Sequence, residues 1–76
     1  MKAIVWSKNQ CTFCDQAKNL LKSKGVEFEE RNIQTGPWTK EQLLELVPTA
    51  KSLPQIFLND EYLGGFQELR TELNKV

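Results

Sequence analysis

Apolar residues in the first third of the chain form a short continuous run and then a helical pattern. The run from Ala3 to Trp6 predicts a strand over Lys2–Ser7 that is buried on both faces and therefore central in its sheet. Helical spacing then predicts a helix from about Thr12 to Lys24, which Gly25 would end in the left-handed conformation. Val26–Glu29 alternates with period two, so we expect a βαβ unit with parallel strands and a right-handed crossover.

The middle of the chain predicts a loop and a second helix. The segment from Asn32 to Pro37 has the composition of a loop. Thr39 and Gln42 have the spacing of a capping box, and the apolar residues after them predict a helix that Pro48 ends. We expect the apolar side chains of this helix to belong to the core; they are Leu43, Leu44, Leu46 and Val47.

The last third of the chain predicts a hairpin and a third helix. Gln55–Leu58 is a near-continuous apolar strand, and the turn-forming pair Asn59-Asp60 should bring Glu61–Leu63 back against it. Gly64-Gly65 opens a final helix, whose inward stripe consists of Phe66, Leu69, Leu73 and Val76. The order β-α-β-α-β-β-α predicts an α/β fold in which helices cover both faces of a four-stranded mixed sheet.

The composition is that of one ordinary globular domain, which we expect to span residues 1–76. Ten basic and ten acidic residues are interspersed and give no net charge, unlike the basic stripe of a nucleic-acid binder. No apolar run approaches the length needed to cross a membrane, and the run near the N-terminus is too short for a signal peptide. With two closely spaced cysteines, these features predict a protein of the reducing cytoplasm.

The two cysteines, Cys11 and Cys14, lie where the first strand gives way to the first helix. Unpaired backbone N–H groups and the positive end of the helix dipole favour a thiolate there, so the pKa of Cys11 should lie below that of a free thiol. Helical spacing places Cys14 on the inward face with Ala17 and Leu21. We therefore expect an exposed, nucleophilic Cys11 and a shielded Cys14 that resolves a mixed disulfide.

Three other roles for the cysteine pair are less favourable. A zinc site normally takes four ligands, and the chain has no histidine and no further cysteine. A structural disulfide across so short a loop would restrict the unfolded chain only slightly. Two ordinary core cysteines are a third alternative, because free cysteine is often buried, but this does not explain their place at a strand-to-helix junction.

The sequence resembles the glutaredoxins of the thioredoxin-fold superfamily over its whole length. Four features in the expected order carry the resemblance: Lys8 ahead of Cys11, the site Cys11-Thr12-Phe13-Cys14, Ser52-Leu53-Pro54, and Gly64-Gly65-Phe66-Gln67-Glu68-Leu69. The resemblance implies a thioredoxin fold and a glutathione-dependent oxidoreductase that reduces protein disulfides and protein–glutathione mixed disulfides. It also implies a cis bond before Pro54, next to the cysteines.

The resemblance further assigns contacts with glutathione to particular residues. Lys8 and Lys51 match basic positions that meet the glycyl carboxylate, and Phe13 flanks the bound tripeptide. The backbone of Leu53 pairs with the cysteinyl part, and the amides that open the last helix bind the γ-glutamyl end. The full predicted set is Lys8, Phe13, Lys51, Ser52, Leu53, Pro54, Gly65, Gln67 and Glu68.

Three positions depart from the family pattern. Thr12 stands where the family usually has proline, Ser52 replaces a threonine and keeps the hydroxyl, and Glu68 replaces an aspartate with a longer side chain. Members without that proline sometimes bind an iron–sulfur cluster between two subunits, so a glutathione-ligated cluster carrier is one alternative function. A thioredoxin-like redoxin reduced by a flavoprotein reductase is another, and a purely structural adaptor is a third.

The resemblance also implies the partners of the protein. Glutathione is the expected reducing co-substrate, and no metal is expected. Disulfide-containing or glutathionylated proteins are the expected substrates, with ribonucleotide reductase a plausible target by family resemblance only. We expect a monomer that binds neither nucleic acid nor membranes.

Overall fold

The computed structural model describes residues 1–75, and the predicted order of elements is confirmed. The elements are β1 (Lys2–Ser7), α1 (Thr12–Ser23), β2 (Glu27–Asn32), α2 (Lys40–Leu46), β3 (Gln55–Leu58), β4 (Glu61–Gly64) and α3 (Phe66–Leu73). Val76, which we expected in the inward stripe of α3, lies outside the described residues. Within residues 1–75, no helix combines the length and the apolar character that crossing a membrane requires.

The four strands form one mixed sheet in the order β2-β1-β3-β4. β1 pairs in parallel with β2 and antiparallel with β3, and β4 returns antiparallel along β3. The central position predicted for β1 and the parallel βαβ pairing are therefore confirmed. Asn59 and Asp60, both with positive φ, make the predicted tight turn between β3 and β4.

Strand β2 is longer than its apolar alternation predicts, because it continues to Asn32 instead of ending at Glu29. Its ladder with β1 extends to the pair Ser7 and Asn32. Backbone pairing holds this end of the strand, and the carboxylate of Glu30 accepts a hydrogen bond from the buried Ser7 hydroxyl at 2.7 Å. A pattern of apolar residues does not report such a polar extension.

The helices begin and end near the predicted capping residues. Gly25 follows α1 with a φ of +69°, in the left-handed region that glycine adopts without a steric penalty. At the start of α2, Thr39 Oγ1 accepts from the Gln42 N–H at 3.2 Å, and Gln42 Oε1 accepts from the Thr39 N–H at 2.8 Å. This is the predicted capping box. α2 ends at Leu46, just ahead of Pro48.

Apolar side chains form one core on each face of the sheet. The larger core joins the sheet to α1 and α3, and its buried residues are Ala3, Val5, Ala17, Leu21, Ile56, Leu58 and Leu69. The smaller core joins the sheet to α2, and its buried residues are Trp6, Leu43 and Val47. The prediction that Leu46 belongs to the core is wrong, because this side chain is 56 % exposed. A helix of two turns buries only a narrow stripe, which Leu43 and Val47 occupy.

Candidate active site

Cys11 is the N-cap residue of α1, and its sulfur forms part of the cap. The backbone N–H of Cys14 donates a hydrogen bond to Cys11 Sγ at 3.2 Å, where a serine or aspartate oxygen usually accepts. The two sulfurs are joined in a disulfide, with their Cα atoms 5.2 Å apart. The end of β1, a polar loop and the start of α1 thus bring both cysteines of the predicted redox site together.

The two cysteines differ in accessibility, although by less than predicted. Cys14 is fully buried, whereas Cys11 is 8 % exposed. Cys14 is the more shielded of the two cysteines, as predicted, but the prediction that Cys11 is exposed is wrong for this oxidised form. The neighbouring segment is the reason: Cys11 Sγ lies 3.7 Å from the carbonyl oxygen of Leu53, which covers one side of the sulfur.

The Leu53–Pro54 peptide bond is cis, as the resemblance implies. Two polar contacts hold the chain around it. Nε2 of the buried Gln55 donates to the Ser52 carbonyl oxygen at 2.7 Å, and Gln55 Oε1 accepts a hydrogen bond from the Tyr62 hydroxyl. The sequence pattern did not predict this role of Gln55. Its one indication was a polar residue at the first position of an otherwise apolar strand.

Two adjoining depressions lie beside the contact between Cys11 and Leu53. The first, which we call the lysine-lined depression, has a volume of about 170 Å³ and is lined by Lys8, Ile33, Lys40, Leu43, Leu44, Ala50, Lys51, Ser52 and Leu53. The second, which we call the aromatic depression, has a volume of about 200 Å³ and is lined by Phe13, Ser52, Leu53, Pro54, Gly65, Phe66, Gln67 and Glu68. Ser52 and Leu53 belong to both linings, so the two depressions meet at this segment.

Every residue that the resemblance assigns to glutathione lines one of these depressions. Lys8 and Lys51 line the lysine-lined depression only. The others line the aromatic depression; they are Phe13, Ser52, Leu53, Pro54, Gly65, Gln67 and Glu68. Residues from both ends of the chain therefore line two depressions that share Ser52 and Leu53, and Leu53 is in contact with Cys11.

The aromatic depression includes one residue that the sequence assigned only to the core. Phe66 packs against the larger core, and its ring centroid also lies 5.9 Å from that of Phe13. Phe13 is 54 % exposed, so the pair presents aromatic surface to solvent. The helical stripe accounted fully for an apolar residue at position 66, and the sequence held no further indication of this second role.

Glu68 lies at the start of α3 and caps it. Its Oε1 accepts a hydrogen bond from the backbone N–H of Gly65 at 2.7 Å. Helix geometry leaves the next three amides, those of Phe66, Gln67 and Glu68, without an acceptor inside α3. The helix start can therefore meet an anion, although the Glu68 carboxylate already lies beside it.

A polar network connects the end of β1, which leads to Cys11, with β2 and α1. The Ser7 hydroxyl and the Lys18 ammonium both donate to Glu30 Oε2, at 2.7 and 2.9 Å. Two hydrogen bonds hold the pKa of Glu30 below its usual range: the one from Lys18 has the larger effect and the one from Ser7 the next largest. The hydrogen bond to Glu30 also raises the pKa of Lys18. The loop that carries Cys11 thus starts from an anchored strand end.

The known proteins that are similar to this chain include several glutaredoxins. The glutaredoxin family model matches residues 3–63. The chain is 37 % identical to a probable glutaredoxin of Synechocystis sp. over 68 residues, which cover 90 % of this chain and 77 % of that relative. It is 34 % identical to glutaredoxin 3 of Escherichia coli over 65 residues, which cover 86 % of this chain and 77 % of that relative.

Solved structures show the same fold. Glutaredoxin 1 of Francisella tularensis has 27 % sequence identity and a TM-score of 0.78, over 97 % of this chain and 98 % of that one. A four-stranded mixed sheet with three helices and a Cys-x-x-Cys pair at a helix start defines the class, which is that of thioredoxin-fold thiol–disulfide oxidoreductases. Within that class, the chain belongs to the glutaredoxin family.

Proposed function

We propose that the protein reduces protein disulfides and protein–glutathione mixed disulfides with glutathione as the electron donor. The observation that supports this proposal is that the residues assigned to glutathione line two depressions, which share Leu53, the residue in contact with Cys11. A disulfide exchange needs only the cysteine pair. A concave surface with cationic, apolar and helix-start groups next to that pair favours a small anionic co-substrate.

Each part of glutathione has a counterpart on this surface. The glycyl carboxylate would meet Lys8 and Lys51 in the lysine-lined depression. The cysteinyl backbone would pair with the backbone of Leu53 as an added strand does. The γ-glutamyl carboxylate would approach the free amides of α3, and its amino group would suit the Glu68 carboxylate.

The reaction begins with the reduced protein. The Cys11 thiolate attacks one sulfur of a protein disulfide, a new S–S bond forms, and the other substrate sulfur leaves as a thiolate that takes a proton from solvent. Cys14 then attacks Cys11, which releases the reduced substrate and leaves the Cys11–Cys14 disulfide. One glutathione thiolate attacks Cys11 and frees Cys14. A second glutathione thiolate attacks the glutathione sulfur of the resulting mixed disulfide, so that the Cys11 thiolate leaves and oxidised glutathione is released. Two electrons thus pass from two glutathiones to one substrate disulfide.

The cap geometry supports the first step of this cycle. The N–H of Cys14 is directed at Cys11 Sγ, and a hydrogen bond to a charged sulfur is stronger than one to a neutral acceptor. We therefore expect the pKa of Cys11 in the reduced protein to lie below that of a free thiol. A value near ambient pH serves exchange best, because nucleophilicity falls as the pKa falls.

The decisive experiment is a reductase assay on a glutathionylated peptide, with glutathione and glutathione reductase, for wild type, Cys11→Ser and Cys14→Ser. We expect Cys11→Ser to lose all turnover, because a hydroxyl does not attack disulfides at neutral pH. We expect Cys14→Ser to retain part of the turnover, because Cys11 and a second thiol can complete the cycle. Thermal unfolding of both variants provides the control for folding, since serine is close to cysteine in size and, at position 11, can cap α1.

Other outcomes of this assay, or of two companion experiments, would point to other functions. Full turnover by Cys11→Ser would refute its role as nucleophile. Turnover with thioredoxin reductase, but none with glutathione and its reductase, would show that the electron donor is the flavoprotein reductase and not glutathione. A coloured, stable dimer after anaerobic reconstitution, with little reductase activity, would favour a glutathione-ligated iron–sulfur carrier.

The proposal also covers the domain organisation, oligomeric state, cellular compartment and partners of the protein. We propose a single domain over residues 1–76 that acts as a monomer in the cytoplasm, where a cysteine pair can cycle between its two states. Its partners would be disulfide-containing or glutathionylated proteins. Ribonucleotide reductase is a candidate among them by family resemblance.

A further inference from the structure

The lysine-lined depression holds more positive charge than one glycyl carboxylate requires. Lys8, Lys40 and Lys51 line it, and none of the lining residues described in the structure is acidic. All three lysines are exposed, and within residues 1–75 none has a carboxylate oxygen within 4.0 Å, whereas Lys18 and Lys75 are paired. Because acids and bases balance over the whole chain, this is a local excess of positive charge.

The floor of this depression is apolar. It is formed by the buried Leu43 and by three half-buried residues, Ile33, Leu44 and Ala50. An apolar floor under a cationic rim is complementary to a ligand that has both an apolar side chain and negative charge. Glutathione has carboxylates but no apolar side chain, so it would leave Lys40 and the floor without a partner.

We propose that the lysine-lined depression docks the polypeptide of a protein-disulfide substrate and selects a segment with acidic and apolar side chains beside its cysteine. The inference rests on the proposed function, because the segment reaches the depression only while its sulfur is at Cys11. The segment occupies the depression in the step that precedes glutathione, so the two ligands need not be bound together.

The position of the depression supports this occupant. Ser52 and Leu53 are part of its lining, and the Leu53 carbonyl oxygen lies 3.7 Å from Cys11 Sγ. Extended chain advances about 3.3–3.6 Å per residue, so side chains within a few residues of the substrate cysteine can enter the depression. The attack of the Cys11 thiolate is unchanged: its S–S bond to the substrate forms as the substrate's second sulfur leaves.

The test uses the reduced protein in single turnovers without glutathione. The substrates are cyclic disulfide peptides of equal length, whose flanking residues are Glu and Leu, Gln and Leu, Lys and Leu, or Glu and Ser. We expect the wild type to reduce the Glu–Leu peptide about tenfold faster than the Lys–Leu peptide at low salt, with the ratio falling as salt is added. We expect the Glu–Ser peptide to be reduced severalfold more slowly than the Glu–Leu peptide.

Matched variants locate the selection in this depression. Lys40→Glu should lower the ratio between the Glu–Leu and Lys–Leu peptides by about threefold or more. Lys24→Glu makes the same charge change on an exposed residue at the C-terminal end of α1, which is the end opposite Cys11. It should leave the ratio unchanged. An acidic residue is favourable in the first turn of a helix, so Lys40→Glu should leave α2 folded, and Lys40→Gln provides a second, milder change.

The outcomes separate this inference from the proposed function. Equal rates for all peptides with the wild type, together with turnover in the glutathione-coupled assay, would overturn the docking site alone. An equal effect of Lys24→Glu and Lys40→Glu would also overturn it, because the selection would then follow net charge. Absence of turnover in the glutathione-coupled assay, with peptide selection intact, would overturn the electron donor and leave the docking site standing.

Discussion

Among single residues, Gly64 determines how the chain passes from the sheet into the helix beside the active site. Leu63 is an extra residue in the ladder of β4 against β3, which makes a bulge just ahead of Gly64. Gly64 has a φ of +129°, and a Cβ at this position would lie 2.9 Å from Glu68 Oε1. Glycine is therefore needed for both the backbone conformation and the close approach of the capping carboxylate.

We expect Gly64→Ala to lower the free energy of unfolding by about 1–3 kcal/mol, because it strains the backbone and displaces the Glu68 cap. The matched variant is Gly65→Ser. A Cβ at Gly65 makes only ordinary contacts, the nearest at 3.5 Å, and serine is a good N-cap residue. We expect Gly65→Ser to change stability by less than about 0.5 kcal/mol. Urea unfolding of the reduced proteins measures both, and equal losses would contradict the role of Gly64.

Single residues also show how far the sequence alone could identify the site. The cysteine pair and Pro54 were identifiable, because their types and order are rare in combination. The burial of Cys11 was not, since it depends on a contact with Leu53, far away in the sequence. Phe66 was already explained by its helical stripe. A pattern assigns one role to a residue, whereas packing can give it two.

Between elements, the network of Ser7, Lys18 and Glu30 joins β1, α1 and β2 below the active-site loop. The lowered pKa of Glu30 means that its contribution to stability is present above the ordinary carboxyl pKa and is lost as pH falls through the lowered value. The raised pKa of Lys18 means that its contribution is present below the ordinary lysine pKa and is lost as pH rises through the raised value. The network therefore acts fully between about pH 5 and about pH 10.

We expect Glu30→Gln to lower the free energy of unfolding by about 1 kcal/mol at neutral pH, a modest value because the pair is partly exposed. The difference from the wild type should shrink as the pH falls below the ordinary carboxyl range and through the lowered pKa of Glu30, because the wild-type carboxylate is then protonated as well. Urea unfolding across the acid range measures this. Glu27→Gln, an exposed residue of the same strand, is the control and should show a smaller, flatter difference. A constant gap for Glu30→Gln at all pH values would contradict the electrostatic origin.

The elements themselves were largely predictable from the sequence. Their types and order follow from local rules of spacing and capping, and Thr39, Gln42 and Gly25 act as those rules predict. The end of β2 and the exposure of Leu46 were not predictable in this way. One depends on a backbone ladder with another strand, and the other depends on how little of a short helix the sheet can cover.

Across the whole molecule, the two faces of the sheet are packed unequally. The larger core joins two helices to the sheet, whereas the smaller core has only α2 and the loops around it. Part of this second face is covered by polar or aromatic groups instead of a helix. The Arg31 guanidinium lies 4.1 Å from the ring centroid of Trp38, whose ring packs edge-on against that of Trp6. Less apolar area is therefore removed from water on the side of α2.

This asymmetry predicts that α2 opens before the rest of the fold. We expect the backbone amides of Leu43 and Val47, which donate within α2 and its caps, to exchange hydrogen with an opening free energy about 2 kcal/mol below that of the Leu21 amide. Native-state hydrogen exchange at several urea concentrations measures both. Because Leu43, Leu44 and Lys40 line the lysine-lined depression, such openings would let that wall adapt to different substrates, while α1, which begins next to Cys11, stays packed in the larger core. Equal opening free energies for α1 and α2 would mean that the molecule unfolds as one unit and that this wall is rigid.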